Sequence, residues 1–468
     1  MRLACIVLAA GEGKRMHSLV PKVLLKICGR PMLQFVLDTV EKLKPERKIV
    51  VLGRHAVEIE RALRGEGLCF VLQKEPKGTG DALLNAREAL DGFQGNVLVL
   101  NGDMPMITAE TLKRFLRLFR RHRDTLSVLS FLAGNPSSYG RIVRDDSGKA
   151  VRIIEDKDAT EEEKRIQEVN SGVYGMESGI LHLLERIRLN DAKGEYYLTD
   201  LFEIVVKENR KAGSYCIGTG DELMGVNTRY DLLKAEAVML QRIVRGLIDS
   251  GVNVVDPGSL YIHSGVKIGI ETVLYPNVYL EGTTTVGRKC TIYPNVRIVN
   301  SSIGDGAVVK DSSVIEDSMV GKGSEVGPFA HLRPGSTIGL NAKIGNFVEV
   351  KKSVIGNRTK ASHLSYIGDA VVGKDVNIGA GTITCNYDGV GKHQTTIEDG
   401  VFIGSDTQIV APCRIGKGAY IGAGSTVTKE VPAQSLAISR AKQKNFEGWA
   451  LKRRHRVHNS KSKDKGGE

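Results

Sequence analysis

The 468-residue chain reads as a mostly parallel, Rossmann-like α/β unit joined by one long helix to a parallel β-helix. Three observations carry that expectation. Apolar, β-rich runs alternate with helical patterns over residues 1–227. A single amphipathic pattern fills 228–250. From 251 to 440 aliphatic residues recur at every sixth position, ahead of a basic tail at 441–468. Composition agrees: 41% hydrophobic and 26% charged residues mark a globular chain, and 53 glycines, about 11% against roughly 7% in average usage, call for many tight corners.

In the first unit, strands are expected at Leu3–Ala9, 48–53 and 96–100, and helices at 32–43 and 80–90. Such alternation gives a parallel sheet covered by helices, and ligands bind such sheets beyond the carboxyl ends of their strands. The helix at 228–250 places Leu232, Leu233, Val238, Leu240, Ile243, Val244, Leu247 and Ile248 mostly at steps of three and four, with Gly251 as its stop. At 1.5 Å per residue it would span roughly 34 Å, a rigid spacer.

The period of six runs from Ile262 to Ile298, resumes after a slip from Val320 to Val350, and returns from Ile397 to Val427. Each hexad reads as one side of a triangular coil, aliphatic residue inward, with glycine and small polar residues at the corners. About ten coils at a strand spacing of about 4.8 Å make a column on the order of 50 Å long.

Several classes are excluded. No apolar run reaches the length of a transmembrane helix, so membrane insertion is not expected. The start at 3–10 is followed by Gly11-Glu12-Gly13-Lys14, without a small-residue cleavage site, so no secretory signal is expected. Seven cysteines, odd in number and nowhere in C-x-x-C, argue against a disulfide framework or zinc site and for a reducing cytoplasm. From Lys442 onward nine basic residues face three acidic ones, half of the net charge of +12. That run reads as a solvated terminus rather than a nucleic-acid arm.

The stretch Leu8-Ala9-Ala10-Gly11-Glu12-Gly13-Lys14-Arg15-Met16, with Pro21-Lys22 beyond it, is neither a dinucleotide fingerprint nor a P-loop: Met16 replaces the third glycine, and no Ser or Thr follows Lys14 at the required spacing. It can set backbone N–H groups against phosphates beside Arg15 and Lys22. Taken alone, it equally fits an ordinary strand–turn–helix with surface cations. In the second half, the hexads alone fit a purely structural column. Polar interruptions at 346–352, 361–366 and 380–389, the last opening a loop before Ile397, point to function.

Those motifs resemble a known family. L-A-A-G-x-G-x-R-M…P-K is similar to the sugar nucleotidyltransferases. The whole chain to about Trp449 resembles the bifunctional N-acetylglucosamine-1-phosphate uridylyltransferase/glucosamine-1-phosphate N-acetyltransferase family. The resemblance implies a left-handed coil sense, a homotrimer, Mg²⁺, and UTP and acetyl-CoA as co-substrates of glucosamine 1-phosphate and N-acetylglucosamine 1-phosphate. For the first domain it implies nucleotide and sugar contacts at Leu8, Ala9, Ala10, Gly11, Lys22, Gln73, Gly78, Thr79, Asn101, Gly102, Asp103, Gly140, Glu155, Asn170 and Asn227. Asp103 and Asn227 would hold the metal, and Arg15 and Lys22 would offset phosphate charge during catalysis. For the second domain it implies sugar-phosphate contacts at Arg333, Lys351, Tyr366 and Asn377, and His363 as general base. Acetyl-CoA contacts fall at Ala380, Asn386, Tyr387, Ser405, Ala423 and Arg440, with Asn386 as an oxyanion donor. The chain departs from the family where Asn101 stands for Tyr and Lys14 for Thr, which predicts altered affinity rather than lost activity, and where Ser365 stands for Thr. Two rivals remain: a single-function sugar-1-phosphate nucleotidyltransferase whose β-helix is structural or regulatory, and a non-enzymatic binding protein that would need Arg15, Lys22 or Asp103 to be lost.

Overall fold

The computed structural model describes residues 2–63, 65, 67–190 and 194–463, with side chains to 457. Two compact units emerge, one of Met1–Val266 with Tyr279–Thr283, the other of Lys267–Val278 with Thr284–Glu468.

The first unit is built on a nine-stranded sheet. Its main order is Ala212–Cys216, Leu126–Leu132, Glu168–Glu177, Asn96–Asn101, Leu3–Ala9, Arg47–Leu52, Leu68–Leu72. All three expected strands form, the first with the expected bounds. Strand pairs are parallel except where Glu168–Glu177 runs antiparallel to both its neighbours. The antiparallel strands Arg141–Arg144 and Ala150–Ile154 hang from it. Alternate side chains of Leu3–Ala9 feed opposite cores: Ala4 and Ile6 pack with Val97, Val99 and Phe202, and Cys5 and Val7 with Leu33, Val36 and Phe115. The chain leaves Leu3–Ala9 toward Arg47–Leu52 on one side and returns to Asn96–Asn101 on the other, so the strand order reverses there. A crevice opens at that point.

Three local expectations need correction. The turn after Leu3–Ala9 leads only into a 3-10 turn, Lys14–Met16, and the first α-helix begins at Met32. The loop's backbone N–H groups therefore have no α-helix dipole behind them. The helix expected at 80–90 is broken into Thr79–Asn85 and a 3-10 turn Glu88–Leu90. The long helix, Arg229–Asp249, is capped by a Thr228/Asp231 capping box and ends at Gly251 with φ 93°. It is a packed part of the first unit rather than a bare spacer. Ala235, Met239 and Val244 are buried, the first two with Met16, Ile27, Met32 and Met106, and Arg242 donates to the Met106 carbonyl at 2.6 Å. Leu233 and Ile248 stay exposed, because the covered stripe runs through the small Ala235.

Beyond Val252 short parallel strands form three sheets of eleven, ten and nine strands, the walls of a left-handed β-helix of hexapeptide repeats. Every in-phase aliphatic residue from Ile262 to Val427 is buried except half-buried Ile268. Ile262 lies opposite Leu280 and Leu274 opposite Ile292, as an eighteen-residue coil requires. The slip is a shortened coil: Val286 meets Ile303, and later Val320 meets Ile338 again in full register. Glycine is dictated by close approach at one corner. A Cβ on Gly321, Gly339, Gly356 or Gly373 would sit 2.4–2.7 Å from the backbone of the next coil. The tail holds a helix the sequence reading did not anticipate, Trp449–Lys463, with exposed residues through Val457.

Candidate active sites

The crevice of the first unit is a cavity of about 650 Å³. It is lined by Leu8 through Arg15 from the loop after the first strand, and by Lys22, Gln73, Gly78, Thr79, Asn101, Asp103, Gly140, Glu155, Asn170 and Asn227. Of the residues expected here, only Gly102 lies beneath the wall. A Cβ there would come within 3.0 Å of Leu33 and 3.1 Å of Ala9, so its part is close packing.

Asp103 follows the carboxyl end of Asn96–Asn101, and Val226 N donates to its carbonyl at 2.9 Å. The capping box of the long helix orients Asn227, whose N–H donates to Asp231 Oδ2 at 3.1 Å. The carboxylate and the amide oxygen thereby face one point, and Lys22 Nζ occupies it, 2.5 Å from Asp103 Oδ2 and 2.8 Å from Asn227 Oδ1. Two hard oxygen donors converging on a cation suit Mg²⁺, which needs few protein ligands and keeps several waters. Among the described residues no cluster of three His, Cys, Asp or Glu offers an alternative metal site. Arg15 is exposed, and no ion pair of its side chain is found among the described residues, so its charge is available to a ligand.

Gln73 is buried, and its amide NH₂ is committed to Gly78 O at 3.1 Å and Asp81 Oδ2 at 2.6 Å, which turns its carbonyl oxygen outward as an acceptor. Gly78 has φ 99°, and a Cβ would strike Tyr196 O at 2.6 Å, so only glycine closes this loop. The Thr79 hydroxyl accepts from Leu198 N and so fixes the loop. Asn170 N donates to Gly140 O, and its side chain donates to Tyr174 OH at 2.8 Å. Thr199 donates to Glu155 at 3.2 Å. Asn101 stands beside Gly172, whose added Cβ would lie 2.2 Å from the Asn101 amide nitrogen. The sequence reading missed Tyr139, Tyr174, Tyr197 and Thr199 in the lining and Asp81 behind it. Tyr139 was findable, directly ahead of Gly140. Burial raises its phenol, aided by the Asp231 and Asp103 carboxylates.

On the β-helix, strand register sorts the expected residues into two files. Lys343 pairs with Lys360, Lys360 with Asn377, Asn377 with Phe402 and Phe402 with Tyr420. Three residues further along each coil, Asn346, His363, Ala380, Ser405 and Ala423 therefore stack in one column. Arg440 donates to Ala423 O at 2.9 Å at its end. His363 is exposed, with Nδ1 2.6 Å from Asn346 Oδ1, and the Ser365 hydroxyl donates to the His363 carbonyl at 2.9 Å. Asn377 lies on the wall leading into this column.

The next corner collects Arg333, Lys351 and Gly368 in register. Arg333 bonds Glu349 at 2.8 Å. Lys392, which the sequence reading missed, sits against Lys351, and that neighbouring ammonium holds its pKa below the ordinary lysine value. Nothing in the spacing could have revealed it, because it stands on the loop that breaks the hexad phase. Tyr366 OH lies over Gly368, where a Cβ would clash at 2.4 Å, and accepts from Asn386 Nδ2 at 3.4 Å. Asn386 also donates to Asp369, so its amide hydrogens serve this cluster. Tyr387 is exposed on the same loop and donates to Gly389 O. One chain thus brings together Arg333, Lys351, Tyr366 and Asn386 at one corner, and His363 with the Ala380–Ser405–Ala423 column at another.

Comparison with known proteins adds three family matches: a MobA-like NTP transferase domain at residues 5–164, a GMPPB C-terminal domain at 257–336, and six bacterial transferase hexapeptide repeats at 394–429. A protein of Thermodesulfovibrio yellowstonii named bifunctional protein GlmU is 49% identical over 96% of this chain and 99% of its own length. Proteins of the same name from Alkaliphilus metalliredigens and Thermoanaerobacter pseudethanolicus are 45% and 47% identical over 97% and 96% of this chain, and 99% and 98% of their own lengths. A solved UDP-glucose pyrophosphorylase with UDP-glucose aligns at 20% identity over 52% of this chain and 100% of that one, with a TM-score of 0.43.

Proposed function

The chain belongs to the bifunctional GlmU family, and on that premise we propose how its residues divide the two reactions. It acetylates glucosamine 1-phosphate with acetyl-CoA, then transfers UMP from UTP to N-acetylglucosamine 1-phosphate with release of pyrophosphate. The single-function alternative is not favoured. The observation that carries the division is the separation of chemistry: a crevice with paired oxygen donors in the first unit, and an imidazole on a stacked column in the second.

In the crevice, the sugar 1-phosphate oxygen attacks the α-phosphorus of UTP, forming one P–O bond as that to pyrophosphate breaks. The protein positions the reactants and offsets charge. Gln73 and the Gly78–Thr79 loop take the base, and Gly140, Glu155 and Asn170 take the sugar. The loop Leu8–Gly11, Arg15 and Lys22 hold the phosphates. When bound, Mg²⁺ would neutralise phosphate charge from Asp103 and Asn227. Lys22 must then leave those oxygens for the phosphates, so Lys22→Met should lower uridylyl transfer by about 10²-fold. The same variant should bind Mn²⁺ more tightly than the wild type without nucleotide, as read by electron paramagnetic resonance; weaker Mn²⁺ binding would count against this placement.

In the β-helix, the amine of glucosamine 1-phosphate attacks the thioester carbon, forming C–N and breaking C–S. His363 accepts the amine proton at Nε2 and can return it to the departing thiolate. Arg333, Lys351 and Lys392 supply positive charge for the phosphate, with Tyr366 and Asn377 as sugar contacts. Ala380, Asn386, Tyr387, Ser405, Ala423 and Arg440 line the acetyl-CoA path. Because His363 and the Arg333–Lys351 cluster occupy different corners, a second copy would complete the site.

A homotrimer is part of this reading, supported by an apolar ridge. Phe329, Phe347 and Leu364 are 52%, 55% and 61% exposed and occupy successive left-handed corner positions, φ 53°, 55° and 45°. Asn295, Ser312, Gly381 and Asp406 take the left-handed conformation elsewhere. Bulky apolar residues are out of place there unless a neighbour covers them. Phe347→Glu should lower the solution mass from trimer to monomer and remove acetyl transfer, while uridylyl transfer persists; a trimeric variant by light scattering would exclude the ridge as interface. A cytoplasmic location completes the reading, with seven free cysteines in its support. No described helix is long and apolar enough to cross a membrane. No nucleic-acid partner is invoked for the tail.

A further inference from the structure

We propose that Asn346 is the positioning residue for acetyl transfer: its side-chain oxygen holds His363 in the Nδ1–H tautomer and leaves the Nε2 lone pair free for the substrate's proton. The inference rests on the reading of His363 as general base. The two side chains meet at 2.6 Å from adjacent coils, and their backbones are locked in register, with Leu364 N donating to Asn346 O at 3.0 Å. Gly345 makes the approach possible. A Cβ there would lie 1.9 Å from Ser362 O, so a larger residue would push the two corners apart. Among the described residues Asn346 is the side chain found bonded to the His363 ring.

A neutral imidazole has one N–H and one lone pair, and the partner of one nitrogen decides the state of the other. With the amide oxygen toward Nδ1, the proton sits there and Nε2 is basic. With the amide nitrogen toward Nδ1, Nε2 would carry the proton and could not act as base. The asparagine is therefore a switch set by its own orientation, and an aspartate in its place can only accept.

The test uses the full-length protein with Asn346→Ala, Asn346→Asp and His363→Ala, each assayed for both reactions and for solution mass. Asn346→Ala should lose about 10- to 100-fold in kcat for acetyl transfer, the range seen when a group orienting a functional imidazole is removed. Its KM values and its uridylyl transfer should stay unchanged. Asn346→Asp should keep acetyl transfer, with the acid limb of its pH profile moved to higher pH, because a carboxylate favours the imidazolium. Wild-type kcat in Asn346→Ala overturns the inference. So does an Asn346→Asp variant as impaired as Asn346→Ala, with an unmoved acid limb. Acetyl transfer surviving in His363→Ala sinks the base assignment itself; its loss there without loss in Asn346→Ala sinks only the role of Asn346.

Discussion

Replacing His363 by alanine is expected to lower acetyl transfer by about 10²–10⁴-fold, some 3–5 kcal/mol of transition-state stabilisation, while pyrophosphate release from UTP stays at the wild-type rate. An amine is protonated near neutral pH and cannot attack a thioester until a base takes its proton. An imidazole, the side chain that changes charge near neutral pH, is suited to that step. The ring is exposed at the head of the Ala380–Ser405–Ala423 column, with one nitrogen engaged by Asn346 and no partner of the other found among the described residues. Thiol release from acetyl-CoA, dependent on glucosamine 1-phosphate, is the measurement. The intact first activity serves as the control within the same chain. Release at the wild-type rate would return the β-helix to a structural or regulatory role.

The second large effect is expected at Asp103. Its carboxylate is the one formal charge in the pair of oxygens that converge from Asn96–Asn101 and the head of the long helix, and it is ion-paired with Lys22 at 2.5 Å. Asp103→Asn keeps the shape and removes the charge. Uridylyl transfer should fall on the order of 10³-fold, because a metal held by this carboxylate, as proposed above, would supply several kcal/mol of phosphate-charge stabilisation. Acetyl transfer should be untouched, and Mn²⁺ binding by the free protein should weaken in parallel. A variant that retains pyrophosphate release and Mn²⁺ affinity would move the metal site elsewhere.

Most of the fold was legible in the sequence, and the reason is periodicity. A hexad such as Ile397, Ile403, Ile409, Ile415, Ile421, Val427 repeats one local rule, inward aliphatic and small corner, so the order of residues is itself the geometry. The strand Leu3–Ala9 and the long helix with its Gly251 stop announce themselves in the same way. The element after Met16 did not, because a glycine-rich turn looks alike whether an α-helix or a single 3-10 turn follows.

The sequence by itself determined the two architectures and, through family motifs, the residues proposed for each site. It could not decide which of them touch. Lys22 bridging Asp103 and Asn227, and Lys392 folded back onto Lys351, join residues far apart in the chain, and no local pattern records such distances. The pairing of Asn346 with His363 lies between these cases. The repeat places both at the same corner one coil apart, but the 2.6 Å contact depends on a one-residue-shorter coil and on Gly345 letting the backbones close. Periodicity sets positions along the chain; side-chain contact across coils and between sheet edges is set by packing, and packing is a property of the folded molecule alone.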